Sequence, residues 1–218
     1  ELKTPLAAIR LLTDSILQTD QMDMETVRDF VTDIGSEAER LSRITEDLLR
    51  LTRLDSDLLD APETVEVAPV LEQVMRMMSL LAQEKGTELT YRMEENCRVS
   101  ATKGEVHQVI YNLTDNAVKY SGKNSKVRVK LRHEDHDVVL TVADNGPGIP
   151  EEDLPKVFER FYRVDKARSR AAGGTGLGLS IVQDTVKKRG GTVSAANRPN
   201  GGAVFTVRWP EAEGGDRS

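Results

Sequence analysis

The stretch GGTGLGLSIVQ (residues 173–183) places alternating glycines directly before an apolar segment with helical spacing. Glycines just before the start of a helix leave the backbone accessible, which suits a phosphate-binding loop for a nucleotide, a tight turn or a flexible hinge. The stretch is not a P-loop, because no Gly-Lys-Ser/Thr follows the glycines. It is not a dinucleotide fingerprint either, because polar and basic residues, rather than a strand, precede it. Free N–H groups and the positive end of the following helix still favour an anion.

A second motif is YNLTDNAVKYS (residues 111–121), in which Asn112 and Asn116 are four residues apart and share one face of a predicted helix. Carboxamide oxygens are hard, neutral ligands that suit a hydrated Mg²⁺ bound to phosphates. Two solvent-facing asparagines are the simpler interpretation of that pair alone. Lys119 and Tyr120 at the end of the same helix favour a nucleotide site.

A third motif, ADNGPGIP (residues 143–150), follows a predicted strand. Asp144 can accept hydrogen bonds from an exocyclic amine, while Gly146 and Gly148 let the backbone approach a flat ligand. An ordinary Asp-Asn-Gly turn is the alternative. The basic residues between this motif and the glycines form either a solvated loop or a lid over phosphates.

Composition narrows the class of protein. The 218 residues are 38% hydrophobic, which is ordinary for a folded core in one large domain or two small ones. The net charge of −6 argues against a nucleic-acid partner, and the lone Cys97 excludes an internal disulfide and fits a reducing compartment. No run approaches the roughly 20 apolar residues of a bilayer span. Because the chain opens on Glu1 rather than Met, we expect it to belong to a longer protein.

The first 60 residues predict two helices. The first has apolar residues at three- and four-residue steps over residues 2–16, with Pro5 in the opening turn, where its missing N–H costs least. Asp23 is the predicted N-cap of the second, which has almost heptad apolar spacing over residues 27–51. This stripe packs either on the chain's own second domain or on a second hairpin. We expect the latter, a homodimeric four-helix bundle, because two long helices expose more apolar surface than one small domain can cover.

The period changes beyond a linker that contains Pro62. In chain order we expect a strand near residues 65–67, a helix over 70–84, a strand over 88–92, a helix over 104–120, strands over 126–133 and 137–145, a short helix near 151–158, the helix after the glycines, and strands over 191–197 and 202–209. This order predicts an α+β sandwich, in which one mixed sheet carries helices on one face. The predicted divisions are a helical hairpin (1–58), a linker (59–64), the α+β domain (65–212) and a disordered tail (213–218).

The order of the motifs resembles that of a known family. The asparagine segment, Asp-x-Gly-x-Gly, FERFYR (residues 158–163) and Gly-x-Gly-x-Gly together resemble the ATP-binding domain of sensor histidine kinases. That domain belongs to a wider group with the gyrase, Hsp90 and MutL ATPases. ELKTPLAAIR (residues 1–10) resembles the phosphoacceptor box His-Glu-Leu-Lys/Arg-Thr-Pro-Leu of the same kinases. The two resemblances cover nearly the whole chain, in the family's order.

The resemblance implies that ATP and Mg²⁺ bind. Asn116 resembles the magnesium ligand, Asn112 would lie near the metal and phosphates, and Asp144 matches the aspartate that reads the adenine amino group. Phe158 and Phe161 resemble the phenylalanine box that anchors the lid. The further ATP-binding positions that the resemblance implies are Lys119, Tyr120, Gly146, Gly148, Ile149, Arg163, Lys166, Gly174, Thr175, Gly176, Leu177 and Gly178.

The implied activity is transfer of the γ-phosphate to a histidine on the first helix, then to an aspartate of a response regulator's receiver domain. Glu1 matches the glutamate that orients or deprotonates this histidine. Thr4 matches the residue that supports phosphatase action on the regulator. The histidine itself, expected immediately before Glu1, is not in the sequence. His107, His133 and His136 lie in the predicted ATP-binding domain and are poor substitutes.

Three functions are therefore weighed. The first is the cytoplasmic catalytic core of a dimeric sensor histidine kinase, a transferase of two-component signal transduction whose parent lies in the bacterial cell membrane. The second is an ATP-binding signalling module without autokinase activity, which docks or dephosphorylates a response regulator. The third, an ATP-hydrolysing clamp, is disfavoured because Asn112 stands where such enzymes place a glutamate base. The residue before Glu1 decides between the first two.

Overall fold

An N-terminal helical hairpin opens the chain. The computed structural model describes residues 2–19, 21–55, 61–122, 124–164 and 174–212, with the side chains of residues 50 and 53–55 also outside the description. Helix α1 covers Lys3–Gln18 and helix α2 covers Met24–Asp55. The predicted N-cap is confirmed, because Oδ1 of Asp23 accepts the backbone N–H of Thr26 at 2.8 Å.

The hairpin's apolar stripe packs on the chain's own second domain over part of its length only. Leu48 and Leu51, near the end of α2, pack against the chain's own second domain. Elsewhere the hairpin leaves large apolar side chains exposed, up to 77% for Leu17 and 79% for Met24. The hairpin therefore keeps apolar surface that its own second domain does not cover.

The second domain contains seven strands and three α-helices within the described residues. In chain order they are β1 (Glu63–Glu66), α3 (Val67–Glu84), β2 (Glu88–Met93), β3 (Arg98–Ala101), α4 (Lys103–Tyr120), β4 (Lys126–Glu134), β5 (Asp137–Asp144), a 3₁₀ turn (Leu154–Lys156), α5 (Gly178–Lys188), β6 (Thr192–Asn197) and β7 (Ala203–Pro210). Strands β1 and β3 form a separate antiparallel pair.

The main sheet is mixed, as predicted. Its strand order is β2-β4-β5-β7-β6, with β2 parallel to β4 and every other pair antiparallel. Along β4, Val127 and Val129 are buried while Arg128 and Lys130 are exposed. This alternation places one face of the sheet against the helices and the other toward solvent.

Several predicted boundaries were wrong. The first strand ends at Glu66 instead of covering residues 65–67, and α3 begins at Val67 instead of Val70. Pro69 falls in the first turn of α3, where its missing N–H would have no intrahelical partner. The short helix expected near residues 151–158 is a single 3₁₀ turn.

Strand β3 was not predicted. It is only four residues long, and it pairs with β1 in a register that places Val99 opposite Val65. Both valines are buried, so the pair is stabilised by contact with the core rather than by a strong local pattern.

Helix α4, which carries both asparagines, is fixed at its start by a capping box. Thr102 and Glu105 exchange side-chain-to-backbone hydrogen bonds. The carboxylate of Glu105 also receives two donors of Arg189, which follows α5, and both side chains are nearly buried. This ion pair holds α4 and α5 in register, so that the asparagine helix and the glycine segment before α5 keep fixed positions relative to each other.

Candidate functional site

A cavity of about 1040 Å³ lies between α4, the loop after β5, the glycine segment and α2. This volume is at the upper end of small-molecule sites. Twelve of the predicted site residues line it: Asn112, Asn116, Lys119, Tyr120, Asp144, Gly148, Ile149, Arg163, Gly174, Thr175, Gly176 and Gly178. Motifs that are far apart in sequence therefore meet around one space.

Asp144 stands at the end of β5 with one carboxylate oxygen held by the backbone. Oδ1 accepts the N–H of Gly146 at 2.8 Å and the N–H of Ala203 at 3.3 Å. Among the described residues no donor approaches Oδ2, although the residue is only 8% exposed. An acceptor oxygen is thus fixed in a buried setting, available to a ligand that carries an N–H group.

Close backbone packing explains the glycine after Asp144. A Cβ atom on Gly146 would lie 2.7 Å from the Cα of Ser121, so no larger residue fits there. Gly146 supports the aspartate from behind and does not itself line the cavity. The next part of the loop is held by Asn197, whose side chain donates to the carbonyl and accepts from the N–H of Ile149.

The two asparagines of α4 differ in what their amides contact. Oδ1 of Asn112 accepts from Gln108 at 2.9 Å, and its Nδ2 donates to the carbonyl of Gly178 at 3.0 Å. Asn116 lines the cavity one turn later and has no hydrogen bond to the described residues. The amide of Asn112 therefore fastens α4 to the start of α5, and Asn116 presents an uncommitted carboxamide.

Lys119 and Tyr120 line the cavity at the end of α4. The ammonium of Lys119 pairs with the carboxylate of Asp115 at 2.5 Å, and both side chains are largely buried. This ion pair holds the lysine at the cavity wall, with charge that an entering anion would share.

The backbone of the glycine segment, and of the residue that it contacts, adopts positive φ angles. Gly176 has φ of +77°, and its carbonyl accepts the N–H of Phe161 at 2.9 Å. Phe161 also has a positive φ, 65°, which is strained for a bulky residue. The ring of Phe161 packs beside Leu177, whereas Phe158 packs edge-to-face on Phe205 in the main core.

Leu177, predicted as an ATP-binding residue, does not present its side chain to the cavity. The side chain is fully buried with Ile181 and with Leu51 of α2. Its backbone N–H donates to Oγ1 of Thr175 at 3.2 Å. The alternation of glycines with larger residues thus separates a cavity side from an apolar side that docks on the hairpin.

Sequence reasoning missed the contribution of the hairpin. Arg43, Glu46 and Asp47 of α2 line the cavity, and Oγ1 of Thr175 donates to Oδ2 of Asp47 at 2.8 Å. Apart from the apolar stripe one residue away, no sequence signal marks these positions. They lie in the cavity because Leu48 and its neighbours dock against the second domain.

Two tyrosines at the cavity have raised pKa values. Burial raises the pKa of the Tyr111 phenol, and Asp115 raises it further. Tyr162 donates to Oδ1 of Asp153 at 2.5 Å, and this hydrogen bond with partial burial raises its pKa to about 12. Both phenols therefore keep their proton at physiological pH.

Some predicted residues are not brought to the cavity. Thr4 is exposed in the first turn of α1 and does not line it. Glu1 and Lys166 lie outside the described residues, as do the predicted tail, the last residues of the predicted hairpin (56–58) and the first two of the linker (59–60). Of the three histidines, only His107 lines the cavity, where it stacks on Tyr111.

The described part of the chain contains neither a metal-binding cluster of side chains nor a membrane-spanning helix. Within it, no group of three or more acidic, histidine or cysteine side chains is arranged to hold a metal ion. None of its helices combines the length and apolar character that crossing a bilayer requires.

Comparison with known families matches both parts of the chain. A family model described as "Histidine kinase-, DNA gyrase B-, and HSP90-like ATPase" matches residues 101–213, just over half of the chain. A second, described as "His Kinase A (phospho-acceptor) domain", matches residues 1–57. The first match covers most of the α+β domain, and the second covers the hairpin.

Curated relatives match over almost the whole chain. "Sensor-like histidine kinase SenX3" of Mycolicibacterium smegmatis is 34% identical over 212 residues, which are 97% of this chain and 55% of that protein. "Signal transduction histidine-protein kinase AfsQ2" of Streptomyces coelicolor is 35% identical over 97% of this chain and 40% of its own length. The chain thus spans about half the length of the curated relatives it matches.

Solved structures share the architecture. Full-length ShkA, crystallised in complex with AMPPNP, has a TM-score of 0.72 and 28% identity over 98% of this chain and 44% of its own. The Acinetobacter baumannii histidine kinase AdeS has a TM-score of 0.75 at 23% identity over 97% of this chain and 98% of its own. The AdeS match supports the fold alone.

Proposed function

The chain belongs to the sensor histidine kinases, and from that premise we propose that it is a catalytic core that binds ATP and transfers the γ-phosphoryl group to a histidine. The observation that carries the proposal is the meeting of Asp144, Asn116 and the glycine segment around one cavity, with the hairpin helix α2 as one wall.

Adenine recognition rests on Asp144. Its Oδ1 is held by two backbone N–H groups, so its Oδ2 faces the ligand with a fixed orientation. The exocyclic amine of adenine supplies the N–H that this oxygen can accept. Tyr120, Gly148 and Ile149 line the same cavity and would enclose the base, with Gly146 packed behind the aspartate.

The residues present fit a magnesium ion at Asn116. Its carboxamide has no hydrogen bond to the described residues, whereas both polar atoms of Asn112 are engaged. We therefore propose that the Asn116 carboxamide would hold Mg²⁺, and that the ion's other ligands would be phosphate and water oxygens. When bound, the metal would neutralise phosphate charge and polarise the bond to be broken.

The phosphates would lie at the glycine segment. Gly174, Gly176 and Gly178 line the cavity at the start of α5, where backbone N–H groups and the helix dipole favour an anion. Lys119 and Arg163 add positive charge on two further walls, and the resemblance adds Lys166. In the reaction the bond between Pγ and the bridging oxygen breaks, an N–P bond forms on the imidazole, and ADP leaves.

The hairpin would supply the acceptor and the dimer. We propose that the histidine immediately precedes Glu1, which would orient the imidazole or take its proton, and that Thr4 supports phosphatase action on the regulator. The exposed apolar side chains of α1 and α2 support a homodimer, because a second hairpin would bury them. The partner would be a receiver domain whose aspartate takes the phosphoryl group.

The division of the chain and its cellular setting complete the proposal. We propose a hairpin at 1–58, a linker at 59–64 that permits domain movement, an ATP-binding domain at 65–212 and a tail at 213–218. A cytoplasmic location and a membrane-anchored parent are proposed from the chain's kinship with sensor kinases longer than itself. The AMPPNP complex of ShkA supports the same nucleotide class here.

A second candidate function is an ATP-binding module that docks or dephosphorylates a regulator without autokinase activity. It would use the same nucleotide cavity and differ from the first candidate only in the residue that precedes Glu1. The test is incubation of the chain, extended by its native upstream residues, with γ-labelled ATP and Mg²⁺. We expect labelled protein, and no label when the residue before Glu1 is replaced. Nucleotide binding without label would establish the second candidate instead.

A further inference from the structure

Arg43 is a cation that the hairpin contributes to the cavity. It lines the cavity from α2, one turn before Asp47, which binds Thr175 of the glycine segment at 2.8 Å. Side chains four residues apart on a helix lie about 5–6 Å apart at Cβ and share one face. Arg43 therefore lies beside a residue that touches the segment where phosphates are proposed to bind.

The guanidinium of Arg43 has no carboxylate within ion-pair distance in the described part of the chain. Its charge nevertheless acts across the cavity on α4, because it lowers the pKa of Tyr111 against the larger effects of burial and Asp115. Tyr111 immediately precedes Asn112. The positive charge thus lies between the hairpin and the helix that carries both asparagines.

The height of Arg43 along the hairpin is also informative. The two antiparallel helices meet at a short connection, with α1 ending at Gln18 and α2 beginning at Met24. Counting 18 residues back from Gln18 reaches the position before Glu1, and counting 18 forward from Met24 reaches residue 42. Because both helices rise by about 1.5 Å per residue, Arg43 stands level with the proposed acceptor position.

We propose that Arg43 binds the terminal phosphate of ATP and holds the phosphoryl group as it moves from nucleotide to hairpin. The inference rests on the proposed function. A guanidinium remains charged at all physiological pH values and offers paired N–H donors that match phosphate oxygens. The glycine segment would cradle the triphosphate from the ATP-binding domain, and Arg43 would neutralise its terminal charge from the opposite wall.

Acidic neighbours on the same wall make this charge necessary. Glu46 and Asp47 also line the cavity and would repel a triphosphate. The carboxylate of Asp47 is committed to Thr175, so it keeps the glycine segment near α2 without contacting the ligand. Without Arg43, the part of α2 that lines the cavity would present two carboxylates and no cation.

The test compares nucleotides with and without a terminal phosphate. The Kd values of AMPPNP and ADP are measured calorimetrically, with Mg²⁺, for the wild-type chain, Arg43→Ala, Arg43→Lys and the control Arg28→Ala. Arg28 is an exposed arginine on the same helix, about 22 Å from Arg43 at 1.5 Å per residue. Thermal unfolding of each variant checks that it folds, as expected for exposed positions.

We expect Arg43→Ala to weaken AMPPNP binding on the order of tenfold, as for loss of one charged hydrogen bond, and to change ADP binding less than about twofold. Arg43→Lys should retain part of the AMPPNP affinity, and Arg28→Ala should retain all of it. Equal losses for both nucleotides, or no loss for either, would overturn the role of Arg43 and leave the proposed function standing. A wild-type chain that binds neither nucleotide would refute the proposed function itself.

Discussion

Replacing Asp144 by asparagine is the sharpest perturbation of the adenine pocket. The carboxylate accepts from two backbone N–H groups through Oδ1 and offers Oδ2 to the ligand. An asparagine has only one acceptor oxygen. If that oxygen faces Gly146 and Ala203, an NH₂ group meets the amine of adenine; if it faces the ligand, the NH₂ group meets the two backbone donors.

The expected loss of ATP binding free energy follows from this mismatch of donors and acceptors. Loss of a hydrogen bond to a charged acceptor costs about 1.5–3 kcal/mol, and a buried donor left without an acceptor costs about 1–3 kcal/mol more. The sum, about 2.5–6 kcal/mol, corresponds to at least about 60-fold weaker ATP binding, since 1.4 kcal/mol is a factor of ten. The dimer should persist, because Asp144 lies in the second domain, away from the exposed stripe of the hairpin.

The assay is a calorimetric titration of Asp144→Asn with ATP and with purine ribonucleoside triphosphate, which lacks the exocyclic amine. The wild-type chain should prefer ATP clearly, and the variant should bind both ligands weakly and alike. Asp137→Asn is the matched control, since Asp137 is a partly exposed aspartate at the other end of β5. Unchanged ATP affinity in Asp144→Asn would refute the assignment of the adenine pocket.

Three further predictions concern the metal, the docking of the two domains and the lone thiol. Asn116→Asp should change the magnesium dependence of ATP binding, and an unchanged magnesium titration would remove its ligand role. Leu51→Ala should loosen the contact between α2 and the second domain, seen as faster amide exchange in the glycine segment, whereas exposed Leu49→Ala should leave exchange unchanged. Burial raises the pKa of Cys97 to about 11, so iodoacetamide should label the thiol at pH 8 only after unfolding. The free energy of unfolding should fall as pH rises from about 9 toward 11, because the unfolded thiol loses its proton first. Labelling of the native chain at pH 8 would contradict this.

The sequence predicted the site better than it predicted the site's surroundings. Asp144 and Asn116 stand in short motifs whose spacing on one strand end and one helix face is a local property. Their roles could therefore be proposed without knowing how the elements pack. The capping of α2 by Asp23 was equally local, and its hydrogen bond to Thr26 is present.

What could not be predicted depends on contacts between distant elements. Arg43 and Asp47 are ordinary charged residues of an amphipathic helix until Leu51 docks beside Leu177. That docking also buries Leu177, which the family resemblance had placed at the ligand. Nothing in the heptad spacing of α2 says which of its turns meets the second domain and which remains exposed.

The asparagine pair shows the same limit within one motif. Their four-residue spacing correctly put both on one face of α4. It could not show which amide is available to a ligand and which is used in hydrogen bonds within the protein. The partners of Asn112 are Gln108 on the same helix and the carbonyl of Gly178, which is 66 residues away. Only the folded chain distinguishes the committed amide from the free one.

The measurement that tests the central claim most directly is the location of the phosphoryl group after reaction with ATP. The chain, extended by its native upstream residues, is incubated with ATP and Mg²⁺, digested at neutral to alkaline pH and mapped by tandem mass spectrometry. We predict a single acid-labile, alkali-stable phosphoryl group on the residue immediately before Glu1. A phosphoryl group on any other residue, or none while ATP binds and wild-type folding is intact, would contradict the account of this chain as a histidine autokinase core.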